Sequence, residues 1–431
     1  VNILLVGSGG REHALAWKLL QSDLLTRLDW VMGSEASIQI LSAQYPNKKI
    51  ERVFFEKKEP LMNLVQIAKK RSIDLAVIGP DQYLADGLTD LLLRAQIQVF
   101  GPTQAASQLE WSKSFAKEMM IKAKVPTADF FICNTPSESE EQLRSLNWAN
   151  QQWVLKSDGL ALGKGVEVCK TLDQALSALE RLKLFSPKLV IEERLYGEEI
   201  SWLAFCDGET CALLDPARDY KTLTENQTGP NTGGMGSISP VLGIDSNLRE
   251  KVRSEVFESM IQVMRTHGIP FKGVLYAGLM VSESRYSVLE FNARFGDPET
   301  QALLPRMTGD LIPWLLASAQ GKLSGLPKDV PFQENHACYV VTSTPGYPHA
   351  PETGAEVLGL ENWTRSADVY GFLSGISVQQ QTQENHFVTS GGRVLGTLGL
   401  GETPEKARQT SYRHLESIRF PKMHWRKDIG L

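Results

Sequence analysis

The stretch "NILLVGSGGREHALAWKLL", residues 2–20, decides how the chain begins to fold. The apolar run predicts a buried strand, the glycines a tight turn, and "REHALAWKLLQS" a helix. The stretch nearly spells the dinucleotide fingerprint G-x-G-x-x-G, but Glu12 stands where the last glycine belongs. It is either a damaged nicotinamide site or a loop built for another phosphate ligand. In both cases the glycine turn and the helix start behind it suit an anion.

The same design returns downstream. "IDLAVIGP" (residues 73–80) and "IQVFGP" (residues 97–102) are β-rich runs closed by Gly-Pro, with helical spacing between them. Strands alternating with helices predict a parallel, Rossmann-like sheet covered on both faces. Ligands then lie at the carboxyl ends of the strands, so Gly7, Gly79 and Gly101 should border one crevice.

A further helix follows, and after it the rhythm changes. "SQLEWSKSFAKEMMIKAK" (107–124) predicts one helix, and "QWVLKSDGLALGKGVEVC" (152–169) a strand, a mobile glycine tip and a second strand. "NQTGPNTGGMGSISP" (226–240) lacks any period and predicts a long glycine loop. "LSGLPKDVPF" (323–332) predicts a linker before a β-rich tail, whose last helix should open on Thr403 as N-cap with Pro404 behind it.

Bulk properties exclude several classes. A chain of 431 residues exceeds one small core. A formal net charge of -5 argues against a nucleic-acid binder. Cys133, Cys169, Cys206, Cys211 and Cys338 show no C-x-x-C spacing and predict buried thiols in a reducing cytoplasm, although Cys206 and Cys211 could meet across a hairpin. No stretch is long and apolar enough for a membrane span, and no signal peptide is expected.

Three constellations carry chemistry. Lys156, on a strand, and Lys164, between Gly163 and Gly165, could meet an anion, or could be solvated lysines on a glycine-rich hairpin. "VIEERLYGEE" (190–199) runs a strand into Glu192 and Glu193, then Leu195, then Glu198 and Glu199. A strand end like this can read an adenine edge and hold ribose hydroxyls; taken alone, a charged strand end is the simpler reading. In "VLEFNARFGDPETQ" (288–301), Glu290 and Asn292 sit two apart on a strand and so share a face. Their oxygens suit Mg²⁺. Arg294 adds a phosphate-shaped fork, and Asp297, Pro298 and Glu299 form a turn with two more carboxylates.

Seven blocks in this order resemble the phosphoribosylamine–glycine ligase family of the ATP-grasp superfamily: "GGREHALAWK", "DGLALGKGV", "TGPNTGGMG", "YAGLM", "EFNARFGDPETQ", "GGRVL" and "RKDIG". The likeness runs from about residue 2 to residue 428. It implies an α/β fold with a Rossmann-like substrate domain (1–102), a two-part ATP-grasp clamp (108–322, with a mobile lid near 120–190) and a small β-rich domain (328–428). It implies an ATP-dependent ligase that joins glycine to 5-phosphoribosylamine through a glycyl phosphate, with ATP and Mg²⁺ or Mn²⁺ as cofactors. The expected partners are small molecules, with no nucleic acid or membrane, for a monomer or dimer in the cytoplasm.

By the same resemblance, Lys113, Lys156 and Lys164 serve the ATP phosphates, Glu192 and Leu195 meet adenine, and Glu199 meets ribose. Glu290 and Asn292 hold the metal. Arg294, Asp297 and Lys221 take the catalytic positions. Gly9, Gly10, Arg11, Glu12, Asp81, Asp219, Asn231, Thr232, Gly233, Gly234, Pro298 and Glu299 surround the substrates, and His13 positions a neighbour.

The chain also departs from the family. Gly33-Ser34-Glu35-Ala36-Ser37 replaces P-G-N-A-G, and Asp81 replaces the Glu of G-P-E. Ala217-Arg218-Asp219-Tyr220-Lys221 replaces S-Q-D-H-K, and Phe372-Leu373-Ser374-Gly375 replaces H-A-G-T. The ATP side is intact, so the departures imply either compensated drift or a changed acceptor or amino acid. Glu35 would repel a sugar phosphate unless it points away.

Overall fold

The structure is a computed structural model that describes residues 1–56, 58–160, 165–226, 228–282, 285–363, 370–381 and 384–431. Lys164, expected at the phosphates, lies outside these residues.

The first hundred residues form a five-stranded parallel sheet. Its spatial order is Ile50–Val53, Arg27–Val31, Asn2–Val6, Leu75–Ile78, Gln98–Phe100. The order reverses between Asn2–Val6 and Leu75–Ile78. The loops at Gly7 and Gly79 leave those two strands, so the crevice opens at the topological switch point. Strand residues Ile3, Leu4, Leu5 and Val6 are fully buried, as a sheet covered on both faces requires.

Two antiparallel four-stranded sheets come next. The central one runs Cys211–Leu213, Glu198–Asp207, Lys272–Ser282, Arg285–Asn292. The other runs Phe130–Cys133, Leu189–Glu193, Trp153–Ser157, Val166–Cys169, and is covered by helices Pro136–Ser145 and Leu172–Leu182. This smaller unit has its own core, including Leu143, Leu155, Leu179 and Ile191.

The fourth sheet joins distant segments. Arg218–Asp219 and Gly236–Ser239 pair beside His336–Ser343, Arg393–Gly401 and Tyr370–Leu373. The last helix, Pro404–Leu415, opens as expected, with Thr403 accepting from Lys406 N. The five cysteines are free and buried, and Cys206 and Cys211 are cross-strand partners.

Three expectations fail locally. The single helix expected over 107–124 is two, Gln104–Trp111 and Lys113–Ala123, broken at Ser112. Ser112 is extended, and its side chain caps the second helix by accepting from Phe115 N. A capping serine competes with continued helix, and the break leaves Lys113 at a helix start. The loop expected over 226–240 contains strand Thr228–Asn231, paired with Thr222–Thr224, and strand Gly236–Ser239. The first of these is an exposed two-stranded hairpin with no apolar face, so no period announces it. The expected linker is pinned rather than free: Leu213 N bonds Lys328 O, Val330 N bonds Leu213 O, and Asp329 meets Arg249 and Arg253.

Candidate active site

The site begins with an irregularity in strand Arg285–Asn292. Gly278 pairs with Glu290 and Leu279 with Val288, which leaves Leu289 without a partner. One extra residue makes a β-bulge and reverses the facing of the residues beyond it. Tyr286 and Val288 point into the core before it, and Phe291 does so after it. Glu290 and Asn292 therefore face out of the core together. The bulged Leu289 carbonyl accepts from Lys156 Nζ at 3.0 Å.

Lys156 belongs to a buried trio. Its ammonium and that of Lys117 both contact Glu192, Lys117 at 2.6 Å. Burial alone would raise the Glu192 pKa, but Lys156 and Lys117 hold it below its usual range. The Glu192 side chain thus meets lysines, not open space, so any adenine contact at this strand would fall to backbone and to the half-buried Leu195. Lys117 was not expected here. Its place one helical turn after Lys113 is the signal that could have found it.

Lys113 Nζ donates to Gly159 O at 3.3 Å. Asp158 locks this corner by accepting from Ser114 N at 3.1 Å and Ser114 Oγ at 2.7 Å. Burial lowers the Lys113 pKa, partly countered by Glu290. The Glu290 carboxylate makes no hydrogen bond or ion pair with a described residue. Burial works to raise its pKa, yet Lys221, Lys156, Lys113 and Arg294 hold it low. An ionised carboxylate beside an amide oxygen, among several cations, can accept a hard divalent ion carrying anionic phosphates. Among the described residues no group of three or more His, Cys, Asp or Glu side chains is placed to hold a metal ion.

A second cluster lines the switch-point crevice. Arg11 Nε meets Glu12 Oε1 at 2.6 Å, and Arg11 Nη1 donates to Phe295 O. Glycine at 7 and 79 makes room for Glu12: a Cβ at Gly79 would lie 2.0 Å from Glu12 Oε1, and one at Gly7 2.8 Å from Glu12 Cδ. Burial raises the Glu12 pKa, and Oε2 has no partner among the described residues. Gly9 is the N-cap of helix Gly10–Leu19 at φ 108°, and Gly10 packs against Gln301 and Ser374. Arg294 pairs with Glu110 at 3.0 Å and carries a raised pKa: burial opposes it, and Glu110, Asp81 and Glu299 more than compensate. Asp81 is half-buried on this side. Glu110 was not expected; it also accepts from Ala293 N at 2.8 Å and so fixes the chain leaving strand Arg285–Asn292. His13 accepts from Leu373 N at 2.9 Å, with burial driving its pKa down to about 3, so it acts as a neutral brace.

A third cluster lies between these two. Lys221 pairs with Glu199. Burial would depress the Lys221 pKa, but Glu199, Tyr276, Glu290 and Asp219 hold it well above its usual value. Asp219 is pushed toward its neutral form, its pKa raised by burial and by Glu299, and its Oδ1 has no described partner. Glu299 Oε1 accepts from Ser201 Oγ at 2.7 Å and Tyr276 OH at 3.0 Å. Asp297 is gripped by Arg393 at 2.8 Å and by Gln301 at 2.7 Å. Burial pushes the Asp297 pKa up, and Arg393 and Arg11 bring it below its usual range. Gly234, at φ 102°, lets the loop touch this turn: its Cβ would lie 2.4 Å from Pro298 Cδ. Thr232 donates from N and Oγ1 to Lys221 O, Gly233 N meets Tyr347 OH, and the exposed Asn231 stands at the rim. Arg393 lies in "GGRVL", a block whose residue types carry no chemical signature by themselves.

Most of the chain matches three family descriptions in order. These are the phosphoribosylglycinamide synthetase N domain over residues 1–110, the ATP-grasp (A) domain over 111–300 and the C domain over 337–431. The chain belongs to the phosphoribosylglycinamide synthetase (phosphoribosylamine–glycine ligase) family. It is 37% identical to a phosphoribosylamine–glycine ligase of Caldanaerobacter subterraneus, covering 100% of this chain and 99% of that one. It is 38% identical to that of Rhodopirellula baltica, covering 100% and 97%. The crystal structure of the Thermotoga maritima phosphoribosylamine–glycine ligase superposes with a TM-score of 0.81 at 30% identity over 100% of both chains. A Campylobacter jejuni biotin carboxylase matches at TM-score 0.69 and 15% identity, over 100% of this chain and 94% of that one, and shows the shared ATP-grasp fold. The chain is thus an ATP-grasp ligase. Among the described residues no helix is long and apolar enough to cross a membrane.

Proposed function

We propose that the chain joins glycine to 5-phosphoribosylamine at the expense of ATP, in the cytoplasm, releasing ADP and phosphate. One observation supports this reading most directly. A cationic corner of Lys113, Lys156 and Lys221 faces Glu290, and beside it lie buried acceptor oxygens, Asp219 Oδ1 and Glu12 Oε2, with no described partner.

Phosphates want cations, and unpaired acceptors want N–H or O–H donors. Lys113 and Lys156 would bind ATP phosphates. Glycine's carboxylate oxygen attacks the γ-phosphorus, the bond to ADP breaks, and a glycyl phosphate forms. The amine nitrogen of phosphoribosylamine then attacks the carbonyl carbon and expels phosphate. Glu290 and Asn292 would hold Mg²⁺ or Mn²⁺, which when bound neutralises phosphate charge. Asp219 Oδ1 suits glycine's ammonium, whose charge would return this carboxyl to its ionised form. Glu12 Oε2 suits the hydroxyls or amine of the acceptor, and the helix start at Gly9 and Gly10 suits its phosphate. Arg294, Asp297, Pro298 and Glu299 frame the reacting atoms. The unit carrying Phe130–Glu193 would act as a lid that keeps water from the acyl phosphate.

Two departures from the family face away from this crevice. Glu35 is exposed and reaches Arg52 at 3.6 Å, and Tyr220 is buried among Cys338, Val340 and Ile429, with its hydroxyl on Gly430 N. Both favour the family's own substrates over altered ones. The test is ADP release that requires glycine and phosphoribosylamine together, run against a panel of amino acids. ADP formed only with another amino acid overturns the substrate assignment; no ADP with any pair overturns the ligase reading.

A further inference from the structure

Lys221 is flanked by two residues that are held from behind by the far end of the sequence. Tyr220, on one side, has its ring under the Arg426 guanidinium at 5.2 Å, and its hydroxyl accepts from Gly430 N at 3.1 Å. On the other side Thr222 receives Arg426 Nη1 twice, at its carbonyl (3.1 Å) and its Oγ1 (2.9 Å). Arg426 is itself fixed and nearly fully buried. Asp428 takes its Nε at 2.8 Å and its Nη2 at 2.6 Å as a two-point clamp. The grip continues along the hairpin Thr222–Asn231. His424 Nε2 donates to Leu223 O at 3.0 Å, Asn226 N to Asp428 Oδ2 at 3.1 Å, and Lys427 N to Glu225 Oε1 at 3.1 Å.

We infer that Arg426, clamped by Asp428, is a positioning residue that sets the place of Lys221 and of the glycine loop behind it, without touching substrate. Tyr220 and Thr222 are held by residues 426–430, while the Lys221 ammonium between them meets Glu199. A free hairpin at this position would be marginal, since it has two short strands and no apolar face. The bonds from residues 424–430 supply what the hairpin lacks. The same geometry gives the tyrosine at 220, where the family's block has histidine, a partner in this segment and not in the substrate. The role of "RKDIG" is to hold the loop that the site needs.

The inference rests on the ligase reading for its catalytic consequence, and the test separates the two. Arg426→Met, Arg426→Lys and Asp428→Asn are compared with the parent by thermal melting, by hydrogen exchange over residues 222–231, by ADP binding, and by kcat and KM. Arg426→Met should exchange faster over 222–231 and lose kcat by about 10²-fold, the cost of displacing a group by roughly 1 Å. ADP affinity should stay within about twofold, because the Lys117–Glu192–Lys156 trio is untouched, and Arg426→Lys should fall between parent and Arg426→Met. If Arg426→Met does not fold, Asp428→Asn carries the same comparison with the guanidinium still present. A folded variant with unchanged exchange over 222–231 overturns the inference even if the parent releases no ADP. So does a kcat within about threefold of the parent, or an ADP affinity that falls in step with kcat.

Discussion

Replacing Glu192 with Gln probes the junction between the smaller sheet unit and the rest of the protein. Glu192 and Lys156 lie on neighbouring strands of that unit, Lys117 on helix Lys113–Ala123, and Lys156 also reaches Leu289 O in the central sheet. All three side chains are nearly fully buried. At 2.6 Å and an effective dielectric of about 20, one such pair attracts by roughly 6 kcal/mol before desolvation. Most of that offsets the cost of burying the charges, but removing the shared carboxylate leaves two buried ammoniums without a counter-charge, which costs about 3–5 kcal/mol. The loss should be local. Amides near 153–157 and 189–193 should exchange about two to four orders of magnitude faster, since each 1.36 kcal/mol is tenfold, and ADP should bind more weakly. The pH sign is also fixed. The folded Glu192 pKa is depressed, so its contribution is complete above the unfolded value near 4.3 and is lost as pH falls through the folded one. The variant should lack that acid-dependent loss. Exchange and ADP affinity indistinguishable from the parent would refute the account of this junction.

Glu290→Ala should melt like the parent yet lose Mg²⁺-dependent ADP formation by at least about 10²-fold, and a metal titration of nucleotide binding reads this directly. Retained metal response would remove Glu290 from the ligand set. His13→Leu leaves the buried Leu373 N–H without its acceptor and should cost about 1–3 kcal/mol, measured by denaturant melts. The parent should also lose stability as pH falls from 6.5 toward about 3, because the unfolded imidazole takes a proton that the folded one refuses. His13→Leu should flatten that slope, and an unchanged slope would show that other groups set it. Glu35→Ala should leave the KM for glycine and for the acceptor unchanged, because its carboxylate is exposed and meets Arg52. A large fall in acceptor KM would mean that Glu35 does repel the sugar phosphate.

The parallel sheet was legible because alternating apolar strands and helices leave few other arrangements. The question raised by Glu12 was answerable only in three dimensions. Its side chain fills the space that Gly7 and Gly79 leave open, so the missing third glycine is a carboxylate's seat and not damage. The residues missed in the sequence share a cause. Lys117, Glu110 and Arg393 act on partners 75, 184 and 96 positions away, at Glu192, Arg294 and Asp297. Spacing within a motif reports neighbours on one element and says nothing of such pairings. The hairpin Thr222–Asn231 was missed because its stability is borrowed from residues 424–430 and leaves no periodic trace.

The bulge at Leu289 shows where reading by alternation succeeds for an incomplete reason. Glu290 and Asn292 share a face because they lie two apart, and that much comes from period two. Strict period two would also put them on the face of Tyr286 and Val288, inside the core. The apolar positions 286, 288 and 291 are spaced two and then three, and that extra residue is the bulge written in the sequence. It turns the pair of oxygen donors outward and leaves one carbonyl, Leu289 O, free of the sheet ladder to fix Lys156. A single inserted residue therefore sets both the outward pair Glu290 and Asn292 and the place of the Lys156 ammonium. Deleting Leu289 should displace both at once while conserving every charged residue of the site.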